Sequence, residues 1–79
     1  MERTQVLTQV QDIFRDILDD EEIVLSNGTA ADAIDGWDSL THIQLVVAIE
    51  KMFKVRFSSR EILSWRNVGE MVDSLIAKL

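Results

Sequence analysis

The segment Gly36-Trp37-Asp38-Ser39-Leu40 places a hydroxyl beside a carboxylate where an apolar, helix-spaced pattern begins. Two uses of that hydroxyl are open. Asp38 or Ser39 can act as an N-cap, with a side-chain oxygen accepting a hydrogen bond from an orphan helix amide. Alternatively Ser39 faces solvent as an attachment point, where the positive end of the helix dipole favours a phosphate group. His42 sits three residues beyond Ser39 and invites a hydrolase triad with Asp38. No G-x-S-x-G elbow or oxyanion loop accompanies it, and it falls toward the core side of the helix, so a half-buried histidine with a backbone partner is expected. No catalytic residue is assigned.

The elements that position Ser39 follow from apolar spacing. Val6, Leu7, Val10, Ile13, Phe14, Ile17 and Leu18 define one helix face over about Arg3–Leu18. The run Asp19, Asp20, Glu21, Glu22 is disfavoured at a helix carboxyl end and belongs to the following loop. That loop is long. Ile23, Val24 and Leu25 are expected to tuck under the domain, Ser26-Asn27-Gly28 marks a turn, and Thr29 caps one short helical turn before Asp35-Gly36 breaks it. The spacing of Asp32, Asp35 and Asp38 does not fit a calcium loop.

A second helix is expected from Ser39 to Phe53. Leu45, Val46, Ile49, Met52 and Phe53 group on one side, and Leu40, Ile43, Gln44, Val47 and Lys51 on the other. The first side is core. Apolar residues clustered on the second, one to two turns past Ser39, suggest a contact surface. Lys54–Phe57 reads as an extended connector, and Ser58 with Glu61 has capping-box spacing for a short third helix, about Arg60–Ser64. Asn67 with Glu70 repeats the capping logic for a fourth helix whose apolar period runs to Leu79. No strand pattern competes, so the class is all-α: a four-helix bundle with a short third helix and a long loop between the first two.

Composition bounds what such a bundle can do. At 79 residues and 47% hydrophobic content, residues 1–79 form a single small domain, of a size whose core yields roughly 3 to 5 kcal/mol. A core of this size leaves no room for a deep substrate cleft, which favours a binding or carrier module over an enzyme. The net charge of −6 disfavours nucleic acid and anionic lipid as partners. With no cysteine and one histidine, neither a disulfide nor a thiolate or zinc site is available. Any thiol must be imported. The N-terminus lacks signal-peptide character and no stretch approaches membrane-spanning length, so a cytoplasmic monomer is expected.

The Asp38-Ser39-Leu40 signature opening an amphipathic helix, the acidic loop before it, and Phe53, Val68-Gly69 and the closing apolar helix behind it resemble the acyl carrier protein family across essentially the whole chain. The resemblance implies that Ser39 bears a 4′-phosphopantetheine arm from coenzyme A, whose thiol holds acyl groups as thioesters. Asp38 and Leu40 would then be determinants for the phosphopantetheinyl transferase, and Ile43, Gln44, Val47 and Lys51 part of the surface met by acyl-loading enzymes, ketosynthases or acyltransferases. The second helix departs from fatty-acid carriers by offering Thr41, His42, Gln44, Lys51 and Lys54 against Glu50 alone, which weakens recognition by basic ketosynthase patches. The Gly-Trp-Asp-Ser-Leu wording looks closer to polyketide or small acyl-unit carriers. A peptidyl or aminoacyl carrier uses the same serine, and a non-carrier helical adaptor would use the Leu40, Ile43 and Val47 patch with Ser39 as a plain cap.

Overall fold

The computed structural model describes residues 2–79, in which α1 (Arg3–Ile17), α2 (Ser39–Phe53), α3 (Ser59–Ser64) and α4 (Val68–Ile76) form an all-helical bundle. One 3₁₀ turn, Ala31–Ala33, interrupts the long α1–α2 loop. The expected class is therefore observed. α1 packs along both α2 and α4, burying Val6, Val10 and Phe14 against Leu45 and Ile49 of α2 and Val68, Met71, Val72 and Leu75 of α4. Each helix contributes one stripe, as its period requires.

Several boundaries and burials differ from the sequence expectation. α1 ends one residue early because Leu18 becomes the C-cap and Asp19 turns left-handed, with φ 51. α3 begins one residue early, at Ser59, and α4 stops at Ile76 rather than Leu79, with Lys78 and Leu79 closing onto Leu75 and Ile76 in tight turns. Val24 does not tuck in. Burial alternates along this stretch, with Ile23 and Leu25 buried while Val24 is 72% exposed. Met52 is 52% exposed although it lies on the core side of the wheel. α1 is the helix in extensive contact with α2, and the exposure of Met52 marks where that cover runs out.

Thr29 does not cap the 3₁₀ turn. Ala30 occupies that position, and the Thr29 hydroxyl instead accepts the Ser26 amide at 2.9 Å. The Asn67–Glu70 pair is only half a capping box. Asn67 accepts the Glu70 amide at 2.9 Å, whereas the Glu70 carboxylate takes the Arg66 amide at 2.7 Å. At α3 the Ser58–Glu61 box is complete.

The loop before α2 is held by groups far away in sequence. Arg15 donates to the Ile23 carbonyl at 2.8 Å and Gln11 accepts the Leu25 amide at 2.9 Å. The first two amides of α4, orphans in an isolated helix, donate at 2.8 Å to the loop carbonyls of Thr29 and Asn27. Arg3 clamps the junction by bonding the Asn27 side chain, the Gly69 carbonyl and Asp73.

This docking dictates Gly69. A Cβ there would lie 2.6 Å from the Asn27 carbonyl oxygen, which is backbone and cannot swing aside. Overpacking of this kind costs about 1–3 kcal/mol, and the better helix propensity of alanine returns less than about 1 kcal/mol. Gly69→Ala is therefore expected to lower the urea-unfolding free energy by roughly 1–2 kcal/mol. An unchanged or raised midpoint would show that the loop is not seated on α4.

Candidate functional site

Ser39 is the first residue of α2, and the residue before it does the capping. Asp38 accepts the Thr41 amide at 2.9 Å, while the Thr41 hydroxyl accepts the Asp38 amide at 2.8 Å and donates to the Gly36 carbonyl at 2.7 Å. Gly36 makes the turn possible by adopting φ +85, a region that side chains disfavour. The Thr41 amide, then its hydroxyl, holds the Asp38 carboxyl below the ordinary carboxylate range. A depressed acid stabilises the fold above its unfolded pKa and loses that contribution as pH falls through the folded value.

With the cap assigned to Asp38, the Ser39 hydroxyl is left free. The side chain is exposed and, among the described residues, the hydrogen bonds of this turn are shared by Gly36, Asp38 and Thr41 without it. Asp38, and not Ser39, is thus the N-cap of α2. Leu40, Ile43 and Val47 are 67%, 61% and 42% exposed, and their spacing of three and four residues puts them in one row. Gln44 and Lys51 are exposed alongside them.

Beside Ser39 opens a cleft of about 580 Å³ between the start of α2 and the α3–α4 corner, walled by Trp37, His42, Ile62, Trp65 and Met71. Trp37 and Trp65 face each other across His42, an arrangement that the sequence does not foretell. The imidazole stacks on Trp37 with ring centres 5.9 Å apart and meets Trp65 edge-on at 6.2 Å. Trp37 rests in turn on Phe14, at 4.8 Å, and Trp65 on Phe57, at 4.9 Å, so the cleft wall is tied to the core at both ends. Thr41 was also missed; its place three residues after Asp38 is the available signal, since threonine at that position can close a capping box.

His42 is neutral by construction. Its Nδ1 accepts the Trp37 indole N–H at 3.1 Å, which requires that nitrogen to be unprotonated. Burial lowers the pKa of the imidazole, with the backbone of Ile62 pulling the other way. The observed partner of the imidazole is thus a side chain, the Trp37 indole, rather than the backbone group expected. For a histidine with a lowered folded pKa, stability is complete above the unfolded value near 6.5 and is lost as pH falls through the folded one. Wild type is therefore expected to lose urea resistance relative to His42→Gln as pH falls below the ordinary imidazole value near 6.5. Parallel pH curves for the two proteins would contradict it.

The site fits a covalently attached phosphate-bearing arm on three counts: an unbonded nucleophilic oxygen, a helix start whose dipole favours negative charge, and an adjoining cleft with an apolar lining. Comparison with known proteins agrees. Residues 8–75 match the family described as phosphopantetheine attachment site. The solution structure of a holo acyl carrier protein from Geobacter metallireducens superposes with a TM-score of 0.87 at 40% identity, over 92% of this chain and 84% of that one. The chain belongs to the phosphopantetheine-attachment family of acyl carriers, helical domains whose cofactor is a covalently attached 4′-phosphopantetheine.

Proposed function

We propose that Ser39 is the attachment residue and that the chain holds acyl intermediates as thioesters on that arm, presenting them to enzymes of polyketide, specialised lipid or fatty-acid biosynthesis. Asp38 and Leu40 serve the transferase that installs the arm, and Ile43, Gln44, Val47 and Lys51 lie on the surface that the acyl-handling enzymes meet. The observation that carries this reading is the exposed, unbonded Ser39 hydroxyl at the first position of α2, with Asp38 taking the cap that Ser39 would otherwise fill. When attached, the arm supplies the thiol that the cysteine-free chain lacks.

The chain's own residues perform no bond-making step in this reading. The free lone pair of His42 lies on Nδ1 and is taken by the Trp37 indole N–H, which leaves the ring proton on Nε2 and no nitrogen to act as a base toward Ser39. Asp38 is likewise committed to the helix amides.

Incubation with coenzyme A and a phosphopantetheinyl transferase tests the assignment. The intact mass should rise by a single phosphopantetheine, and peptide mapping should place it on the fragment containing Ser39. The holo protein should then accept acyl groups from an acyl-loading enzyme. Charging by an amino-acid-adenylating enzyme with refusal of acyl donors would instead make it an aminoacyl carrier, and no adduct with several transferases would end the proposal.

A further inference from the structure

Charge is not spread evenly along this acidic chain. Residues 1–50 hold eleven acids and two bases, a net −9, whereas residues 51–79 hold three acids and six bases, a net +3. Of the eight bases, Arg3, Arg15 and Lys78 work inside the fold, bonding Asn27 and Asp73, the Ile23 carbonyl, and Glu61 respectively. Lys51, Lys54, Arg56, Arg60 and Arg66 do not: all five are exposed, and among the described residues none takes part in a salt bridge or side-chain hydrogen bond. Of these, Lys51, Lys54 and Arg56 lie together at the end of α2. Glu50 beside them supplies one negative charge against three positive ones, and its carboxylate is held in place by accepting the Phe57 amide at 2.8 Å.

These three cations line a groove of about 500 Å³ together with Val47, Val55 and Glu50. Val47 is also the last member of the exposed row Leu40, Ile43 and Val47, so apolar row and basic groove form one continuous surface. Helix-dipole stabilisation accounts for a base in the last turn, Lys51, but not for the rest. Lys54 sits at φ 57, where glycine or asparagine is the favoured residue, and Arg56 lies beyond the helix. The left-handed backbone of Lys54 ends α2, and its exposed side chain makes no bond within the described residues.

We infer that Lys51, Lys54 and Arg56 dock an acidic patch on the partner protein that visits Ser39, with the apolar row seated between that patch and the partner's reaction site. The inference rests on the carrier reading for the reason a partner approaches α2. With Asp32, Asp35 and Asp38 before and at the helix start and the three bases at its end, α2 presents opposite charge at its two ends. A partner complementary to it must be basic beside its entrance and acidic about 18 Å away, the rise of twelve helical residues from Ser39 to Lys51. That polarity fixes the direction in which the partner lies along α2. It also discriminates against enzymes whose whole docking face is basic.

Titration of the ¹⁵N-labelled protein with a synthetic amphipathic helical peptide, leucines on one face and glutamates on the other, tests the surface apart from the chemistry at Ser39. Amide shifts are expected to concentrate from Ile43 to Arg56. The combined variant Lys51→Glu, Lys54→Glu, Arg56→Glu is expected to weaken binding about tenfold at low salt, with the difference vanishing at high salt. Equal affinity of wild type and variant would overturn the inference, as would equal binding of a lysine-faced counterpart peptide. Preferential binding to phosphatidylglycerol vesicles or to a single-stranded oligonucleotide would also overturn it, by showing that the cations read lipid or nucleic acid. Transferase-dependent mass gain, measured on both proteins, separates the two claims: gain with unchanged peptide binding removes only the docking surface, and no gain in wild type removes the carrier reading whatever the peptide does.

Discussion

Ser39→Ala is expected to take up no phosphopantetheine from coenzyme A under conditions that convert the wild-type protein completely, while folding as well as wild type. The two halves of that result follow from one local arrangement. Attachment needs an oxygen nucleophile at this position, and alanine has none, so the effect on loading is all or none. Stability is untouched because the hydroxyl does no structural work: Asp38 accepts the Thr41 amide, Thr41 closes the box in return, and no bond of this turn passes through Ser39. An exposed substitution away from caps and core falls within about 0.5 kcal/mol of neutral. Intact-mass measurement and a urea titration on the same sample read both halves. A helical adaptor with Ser39 as its cap predicts the reverse, a destabilised variant that keeps its partner. Persistence of the adduct in the variant would move the attachment to another hydroxyl, and Ser26, Ser58, Ser59 and Ser64 are all exposed. Asp38→Ala separates cap from nucleophile in the other direction: it is expected to lower the melting temperature while leaving the nucleophile in place.

How far the sequence foretells this arrangement depends on whether the deciding interaction is local. α2 was legible from Ser39 to Phe53 because its signals lie within a turn of its ends: an aspartate to cap it at the start and a loss of apolar period at its finish. The Ser58–Glu61 box was legible for the same reason. The loop was not. Its path depends on Gln11 reaching the Leu25 amide, Arg15 reaching the Ile23 carbonyl and two α4 amides reaching Asn27 and Thr29, none of which leaves a periodic trace. A helix wheel also treats every residue on the core side alike, so it cannot foresee that Met52 extends past its cover. At the site, a hydroxyl at the start of α2 could be named from its neighbours in sequence, whereas the Trp37–His42–Trp65 wall requires α2 and the α3–α4 corner to meet. Even there, the single residue Trp37 is read only halfway by its type: an indole is expected to pack, but its N–H partner is fixed by the fold.

Phe14→Ala is expected to unfold the domain at 25 °C and abolish loading without altering any residue near Ser39 in sequence. Phe14 is fully buried, in a core it shares with Leu45, Ile49 and Leu75. Truncating such a residue costs about 3–5 kcal/mol through lost transfer energy and the cavity left behind. A core of this size supplies only roughly 3–5 kcal/mol in total, so the loss and the reserve are comparable and the folded fraction collapses. Far-UV circular dichroism should show loss of helix, and the transferase should find no presented serine. Phe14→Leu distinguishes unfolding from a specific role of the ring. It preserves much of the volume and costs under about 1.5 kcal/mol, so that variant should fold and load, but it removes the edge contact that seats Trp37 at 4.8 Å. With its support gone, Trp37 gains freedom, and its emission is expected to shift to the red while Trp65, held by the Ser74 hydroxyl at 2.8 Å, keeps its environment. A folded Phe14→Ala protein would mean that the bundle has far more reserve than its size allows. In so marginal a domain, lost loading identifies a site residue only when helix content is retained, which is why the Ser39→Ala result carries weight and the Phe14→Ala result, taken alone, cannot.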